Sequence, residues 1–239
     1  MRKALKNGIS VLFWLVVWQL AAMTANRSLL LPIPTPVDTA RALCRMAAEG
    51  GFWLTLGASL LRICAGFALA LLAGGAGAAA SARRPLFRQL AAPLVQLIRA
   101  IPVAVFTIVV FLWVSRPYIP STIVFLTVLP IVWSNVETGL ENADRQLSEM
   151  ARVFGMSRRA ILRQITLPGI RPYVSAAVTT GLGFAWKSGI AAEVICRTQG
   201  SLGDLLWSGK VFALTVVIVL CSALLQRAFS GPKRREAAP

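Results

Sequence analysis

Six apolar runs, near residues 8–25, 57–80, 99–115, 121–138, 173–192 and 210–227, are long enough to cross roughly 30 Å of hydrocarbon. A chain that places its backbone in lipid must satisfy every N–H and C=O internally, and a helix does so within a single segment. The expected fold is therefore an all-α integral membrane protein of about six transmembrane helices, forming one domain over residues 1–239. A mean hydropathy of +0.69, with only 14% charged residues, agrees with that class. The first run follows the basic stretch MRKALKNGIS and so resembles a signal peptide. It reaches spanning length with no clear A-x-A site after it, which reads as a retained first span.

The 25 Lys and Arg against nine Asp and Glu would point to nucleic acid in a soluble protein. Here the basic residues sit in short segments between apolar runs, without the aromatic and basic stripe that tracks a nucleic-acid strand, so no nucleic-acid partner is expected. Their distribution sets the topology instead. With the N-terminus inside, the cytoplasmic segments hold 17 of the 25, among them Arg83, Arg84, Arg88 and Arg99, then Arg145, Arg152, Arg158, Arg159, Arg163 and Arg171. Both termini are expected in the cytoplasm and residues 139–172 on the same side. Arg62 and Arg99 read as interface anchors flanking apolar runs.

Several enzyme classes are weakened by what the chain lacks. It has no histidine, and its four cysteines, Cys44, Cys64, Cys196 and Cys221, are too dispersed for a zinc spacing or a disulfide framework. No catalytic constellation can be assembled, and no metal or cofactor is expected in this chain. Gly203–Lys210 approaches a phosphate-binding loop, but five residues separate the glycines where four are needed, and Val211 stands where Ser or Thr should hold magnesium. Gly74, Gly75 and Gly77 suggest a dinucleotide fingerprint, yet no strand precedes them, and close helix approach explains them better. ATP is not expected to bind here.

In segment 29–50 the alternating Pro32, Pro34 and Pro36 favour an extended lead-in, after which Asp38 is expected to cap a short helix at the outer surface. The longest polar connection, Glu141 to Pro172, carries more information. Leu147, Met150, Ala151 and Phe154 follow i, i+3, i+4, i+7, while Asp144, Arg145, Ser148, Glu149 and Arg152 take the other faces. Gly155 should end that helix, Ser157 should cap a second one through Ile165, and Pro168 should mark the turn back into the bilayer. An amphipathic helix of this kind lies on lipid or docks on a partner.

The spacing of EMARVFGMSRRAILRQITLP separates those two readings. It resembles the E-A-A, three residues, G, nine residues, I-x-L-P signature of permeases in ATP-binding-cassette importers, with Glu149, Ala151, Gly155, Ile165, Leu167 and Pro168 in matching places. Met150 replaces the first alanine. LLPIPTPVD at 30–38, SLLRICAGF at 59–67, IRAIP at 98–102 and GFAWKSGIAAEVI at 183–195 are similar to the nitrate, sulfonate and taurine branch of those permeases. The resemblance implies a type I importer fold, a second permease copy, two separate ATPase subunits that bind and hydrolyse ATP, an external solute-binding protein, and location in a bacterial inner membrane. It also implies a small anionic solute of the nitrate, sulfonate or taurine kind, or a thiamine-pyrimidine precursor.

Such a chain receives work through contact. Burying Leu147, Met150 and Phe154 in a partner groove would contribute roughly 1.5–3 kcal/mol each, and Glu149 would help to set the register. Lys187 and Glu193 lie toward the outer end of the fifth span, where ionisable residues are candidates for a translocation path, with Lys187 either attracting an anionic solute near the outer gate or simply snorkelling outward. Six residues apart, they occupy different faces of a helix. Ser175, Thr179 and Gly183, four apart, read as a close helix contact. The alternative is an ion- or proton-coupled secondary transporter, which should show broken spans in two related halves; no internal repeat is evident.

Overall fold

The computed structural model describes residues 2–25, 34–143, 145–207 and 211–229, and side chains within them except those of residues 2–8, 11, 25, 145 and 229. Asp144, the Leu30–Ile33 part of the lead-in, the end of the Gly203–Lys210 stretch and the C-terminal Lys233, Arg234 and Arg235 lie outside them. The described residues are helical, with no strand among them.

Helix α1, Arg2–Ala25, is followed by α2, Pro36–Ala48. The start of α2 corrects the sequence reading: Thr35, not Asp38, is the cap. Its Oγ1 accepts from the Asp38 backbone N–H at 3.2 Å, and the Asp38 carboxylate, at the third helical position, accepts in turn from the Thr35 backbone N–H at 3.4 Å. Proline needs no N–H partner at the first helical position, so Pro36 opens the helix instead of delaying it.

Helix α3, Gly50–Arg83, crosses beside α6, Ile119–Glu141, and α6 packs in turn on α9, Leu167–Cys196. These three helices hold the core. Ile63, Phe67 and Ala70 of α3 meet Val124, Val128 and Val132 of α6, with Leu182, Ala185, Trp186 and Ile190 of α9 closing the layer. Glycines set the spacing: a methyl group on Gly66 would strike the Ser121 carbonyl, and one on Gly77 the Trp133 ring. On α9 the small stripe at the contact is Ala177, Gly181, Ala185 and Gly189, and a Cβ on Gly189 would lie 2.6 Å from the Ile63 side chain. The expected stripe of Ser175, Thr179 and Gly183 is displaced from it; Ser175 is exposed. Both stripes repeat every four residues, and the one without hydroxyls at the contact is the one buried.

The expected third span, 99–115, is not one straight helix. Helix α4, Pro85–Ala100, and α5, Val103–Phe111, meet at an angle of 102°. Pro102 removes an N–H and drives Ile101 out of the helical region, to φ −81° and ψ 125°. Helix α5 is then only roughly 13 Å long, short of the hydrocarbon thickness. Among the described residues three helices are long and apolar enough to cross a membrane, Gly50–Arg83, Arg116–Glu141 and Val211–Ala228, or four if the bent pair counts as one span. The 30-residue α9 is long enough but not in that apolar class, and α1 holds a shorter apolar stretch, Leu12–Thr24. Helix α11, Val211–Phe229, is tied to the core where Trp186 Nε1 donates to the Ile218 carbonyl at 2.9 Å. Cys196 is buried and Cys221 half-buried, whereas Cys44 and Cys64 are exposed.

Candidate functional site

Between α6 and α9 the chain leaves the bundle as a small lobe. Its two ends are held together: the Tyr173 ring packs on Gly139, and Asn142 Nδ2 donates to the Tyr173 hydroxyl at 3.2 Å. Helix α7, Arg145–Val153, ends where the sequence placed its glycine. Gly155 has φ +79°, its N–H donates to the Arg152 carbonyl, and the Met156 N–H reaches back to Ala151, both at 3.0 Å. These two bonds are the pair that closes a helix on a left-handed glycine. Ser157 then caps α8, Arg158–Ile161, accepting from the Ala160 N–H at 3.3 Å.

No turn follows at Pro168. From Arg158 the backbone stays helical through a π-helical turn, Leu162–Thr166, and runs on into α9. Pro168 occupies the first turn of α9, where its missing N–H is tolerated, and the wider π turn absorbs the adjustment. Ile165 is half-buried in that turn, while Leu167 and Pro168 are exposed.

The lobe presents an apolar face that its own chain does not cover. Helix α7 packs on α8 and the π turn and Ala151 is buried, but Leu147 is 42% exposed, Met150 53% and Phe154 78%, and Glu149 is exposed beside them. Val153, at 86%, joins this face and was missed by the sequence reading, although it stands three residues after Met150.

Lys187 and Glu193 are separated by the structure. Lys187 is exposed, on the side of α9 that also shows Thr180, Phe184 and Ile195. Glu193 is fully buried and lines no open surface. Its Oε2 accepts from the Ser59 hydroxyl at 2.9 Å and the Gly203 N–H at 3.3 Å, and Ser59 in turn accepts from the Leu202 N–H at 2.9 Å. Arg62, expected to anchor at an interface, instead lies 3.7 Å from Glu193 Oε1 and donates to the Gly200 carbonyl at 3.4 Å. These bonds fasten the connection after α9, including the short helix α10, Leu202–Leu206, onto α3. Arg197, left-handed at φ 47°, ends α9 and stacks on Trp207.

Arg99 also departs from its expected anchoring role. At the bend between α4 and α5 it donates to the Pro130 carbonyl at 2.9 Å and to the Ser134 hydroxyl. Nearer the lobe, Arg88 of α4 pairs with Glu137 at 3.1 Å and with Glu141, tying α4 to the end of α6. Charge counting alone did not mark these pairs, because it assigns side chains to a side of the membrane and not to each other.

Residues 66–230 match the family model described as binding-protein-dependent transport system inner membrane component. The chain is 27% identical to the taurine transport system permease protein TauC of Escherichia coli K12, over 92% of this chain and 84% of that one. It is 30% identical to the aliphatic sulfonates transport permease protein SsuC of the same organism, over 87% and 79%. It is 26% identical to the bicarbonate transport system permease protein CmpB of Synechococcus elongatus, over 82% and 74%. In fold it is similar to the crystal structure of an amino acid ABC transporter, with a TM-score of 0.58 at 16% identity over 81% of this chain and 92% of the other. The inward-facing MetNI methionine ABC transporter gives 0.52 at 20% identity, over 82% and 96%.

Proposed function

Because this chain belongs to the binding-protein-dependent transport system inner membrane components, we propose that it is the permease subunit of an ATP-binding-cassette importer, passing a small oxyanion across the inner membrane. The family's transport work involves ATPase and binding-protein partners. In the finer reading, two copies of this chain meet two ATPase subunits, six spans cross the membrane, and both termini face the cytoplasm. The exposed face of Leu147, Met150 and Phe154 on a lobe clamped at its base carries this reading.

The mechanism follows from continuity. A helix running from Arg158 to Cys196 is roughly 57 Å long, so a push on its lobe end is delivered along α9. A two-state transporter needs a partner whose affinity differs between the states. An ATPase groove that closes on the lobe face when ATP binds would supply that difference. Glu149 sets the register, and Ala151, Gly155, Ile165, Leu167 and Pro168 shape the lobe and its junction with α9. Lys187, on the exposed side of α9, is assigned to the path, where an ammonium group attracts an oxyanion. Glu193 is reassigned from the path to an anchor, because its carboxylate is already engaged within the chain.

The substrate class rests on relatives named for taurine, aliphatic sulfonates and bicarbonate, each of which presents a negatively charged oxygen group. The test is uptake by proteoliposomes holding this chain, its ATPase and its binding protein. Uptake of a sulfonate, nitrate or bicarbonate that requires internal ATP is expected. Uptake driven by an ion gradient without the ATPase would make the chain a secondary transporter and overturn the proposal.

A further inference from the structure

A second cavity lies beside the same junction. α3, α6 and α9 enclose an apolar groove of about 540 Å³, within the range of small-molecule sites. Its walls are rows at helical spacing: Leu71, Gly75 and Ala79 on α3, Val132 and Val136 on α6, and Val174 and Val178 on α9. The rows make the groove run along the helices. From Leu71 to Arg83 it extends roughly 18 Å, about the depth of one leaflet in a hydrocarbon core of about 30 Å.

The chemistry changes at one end only. Arg83, exposed at the last turn of α3, is the single charged residue of the lining, and Thr166 of the π turn is the only polar neighbour with it. A Cβ added to Gly75 meets nothing within 4 Å, so the space beside it is open. An oxyanion route would need polar walls, whereas this groove is apolar along its length and cationic at its mouth. One acyl chain of a phospholipid has that arrangement, about one leaflet deep under an anionic headgroup. Basic pockets between membrane helices on the cytoplasmic side bind anionic headgroups in this way.

We propose that this groove binds one anionic phospholipid of the inner leaflet, one of its two acyl chains along Leu71–Ala79 and its phosphate on Arg83. The site touches Leu162, Thr166 and Leu167, so an occupied groove stiffens the π turn through which the lobe moves α9. The inner-leaflet placement rests on the topology proposed above, but lipid binding itself is measured without transport and fails or succeeds separately from it.

The experiment is native mass spectrometry of the purified chain titrated with phosphatidylglycerol and phosphatidylcholine, using variants that elute normally on size exclusion. Wild type is expected to retain one phosphatidylglycerol per chain, with a preference over phosphatidylcholine of about fivefold from one basic contact. Arg83→Gln should reduce that preference to about one, and Gly75→Leu should remove retention of both lipids by filling the groove. Unchanged retention in both variants would overturn the site. So would disulfide formation between two Ala79→Cys copies, which would show that a second chain covers the groove. Uptake assays on the same variants then report on coupling and leave the binding result standing.

Discussion

Replacing Glu193 separates an anchor from a path residue. In Glu193→Ala the Gly203 N–H loses its acceptor and, held in a buried backbone, has no water to replace it. An orphaned buried donor costs about 1–3 kcal/mol. The Ser59 hydroxyl can rotate, so its loss is smaller, and Arg62 is partly exposed at 22%, which screens its share. The vacated side-chain volume brings the expected total to about 3 kcal/mol. Glu193→Gln keeps an oxygen for both donors and should cost only about 1 kcal/mol. Cys196, 5% exposed and three residues further along, reports the opening. With Cys44, Cys64 and Cys221 changed to alanine, thiol labelling of Cys196 should accelerate about a hundredfold in Glu193→Ala and less than tenfold in Glu193→Gln. Labelling at the wild-type rate in both variants, together with lost transport, would refute the anchor and return Glu193 to the path.

Gly155→Pro cannot adopt φ +79° and removes the N–H that bonds to Arg152, so ATP-driven uptake should be lost while membrane insertion, followed by extraction and size exclusion, persists. Glu149→Lys reverses a charge on the exposed lobe and should weaken co-purification with the ATPase, with docking of the binding protein kept; unchanged assembly and transport in both variants would leave the lobe a lipid-surface helix. Thiol reagents applied from outside should label Gln199→Cys and spare Val153→Cys, and the opposite pattern would reverse the topology. Spin labels at those two sites in a dimer should show the larger ATP-dependent distance change at Val153; equal changes would rule out a pivot near the outer end of α9.

The lobe was legible because its signals are local. An apolar row, a glycine after it and a serine before the next helix fall within about fifteen residues, and each acts through bonds between near neighbours, as Gly155 and Ser157 do. The anchor was not legible. Ser59 and Glu193 are 134 residues apart, and nothing in either segment names the other. Pro102 and Pro168 show a different limit. Both carry the same local penalty, yet the first bends the chain by 102° while the second opens α9 without a turn. The difference lies in position: Pro102 follows a completed helix, whereas Pro168 falls in the first turn after a π-helical segment that has already widened the backbone.

Under the proposed docking of the lobe on an ATPase, these placements constrain how α9 moves. A rod displaced at one end must slide or pivot, and sliding past α3 would break the bonds from Glu193 to Ser59 and Gly203, leaving a buried donor without an acceptor at a cost of about 1–3 kcal/mol. At the other end, the Tyr173 contacts with Gly139 and Asn142 hold α9 to α6, so the two helices swing together while the exposed lobe face is free to follow. The lower-cost motion is therefore a pivot about Glu193. From there to Arg158 is roughly 52 Å of helix, so a rotation of a few degrees displaces the lobe by several ångströms while Lys187, six residues from the pivot, moves by less than one. On the function proposed for the chain, a large movement at the lobe and a fine one at Lys187 are then the two ends of one lever.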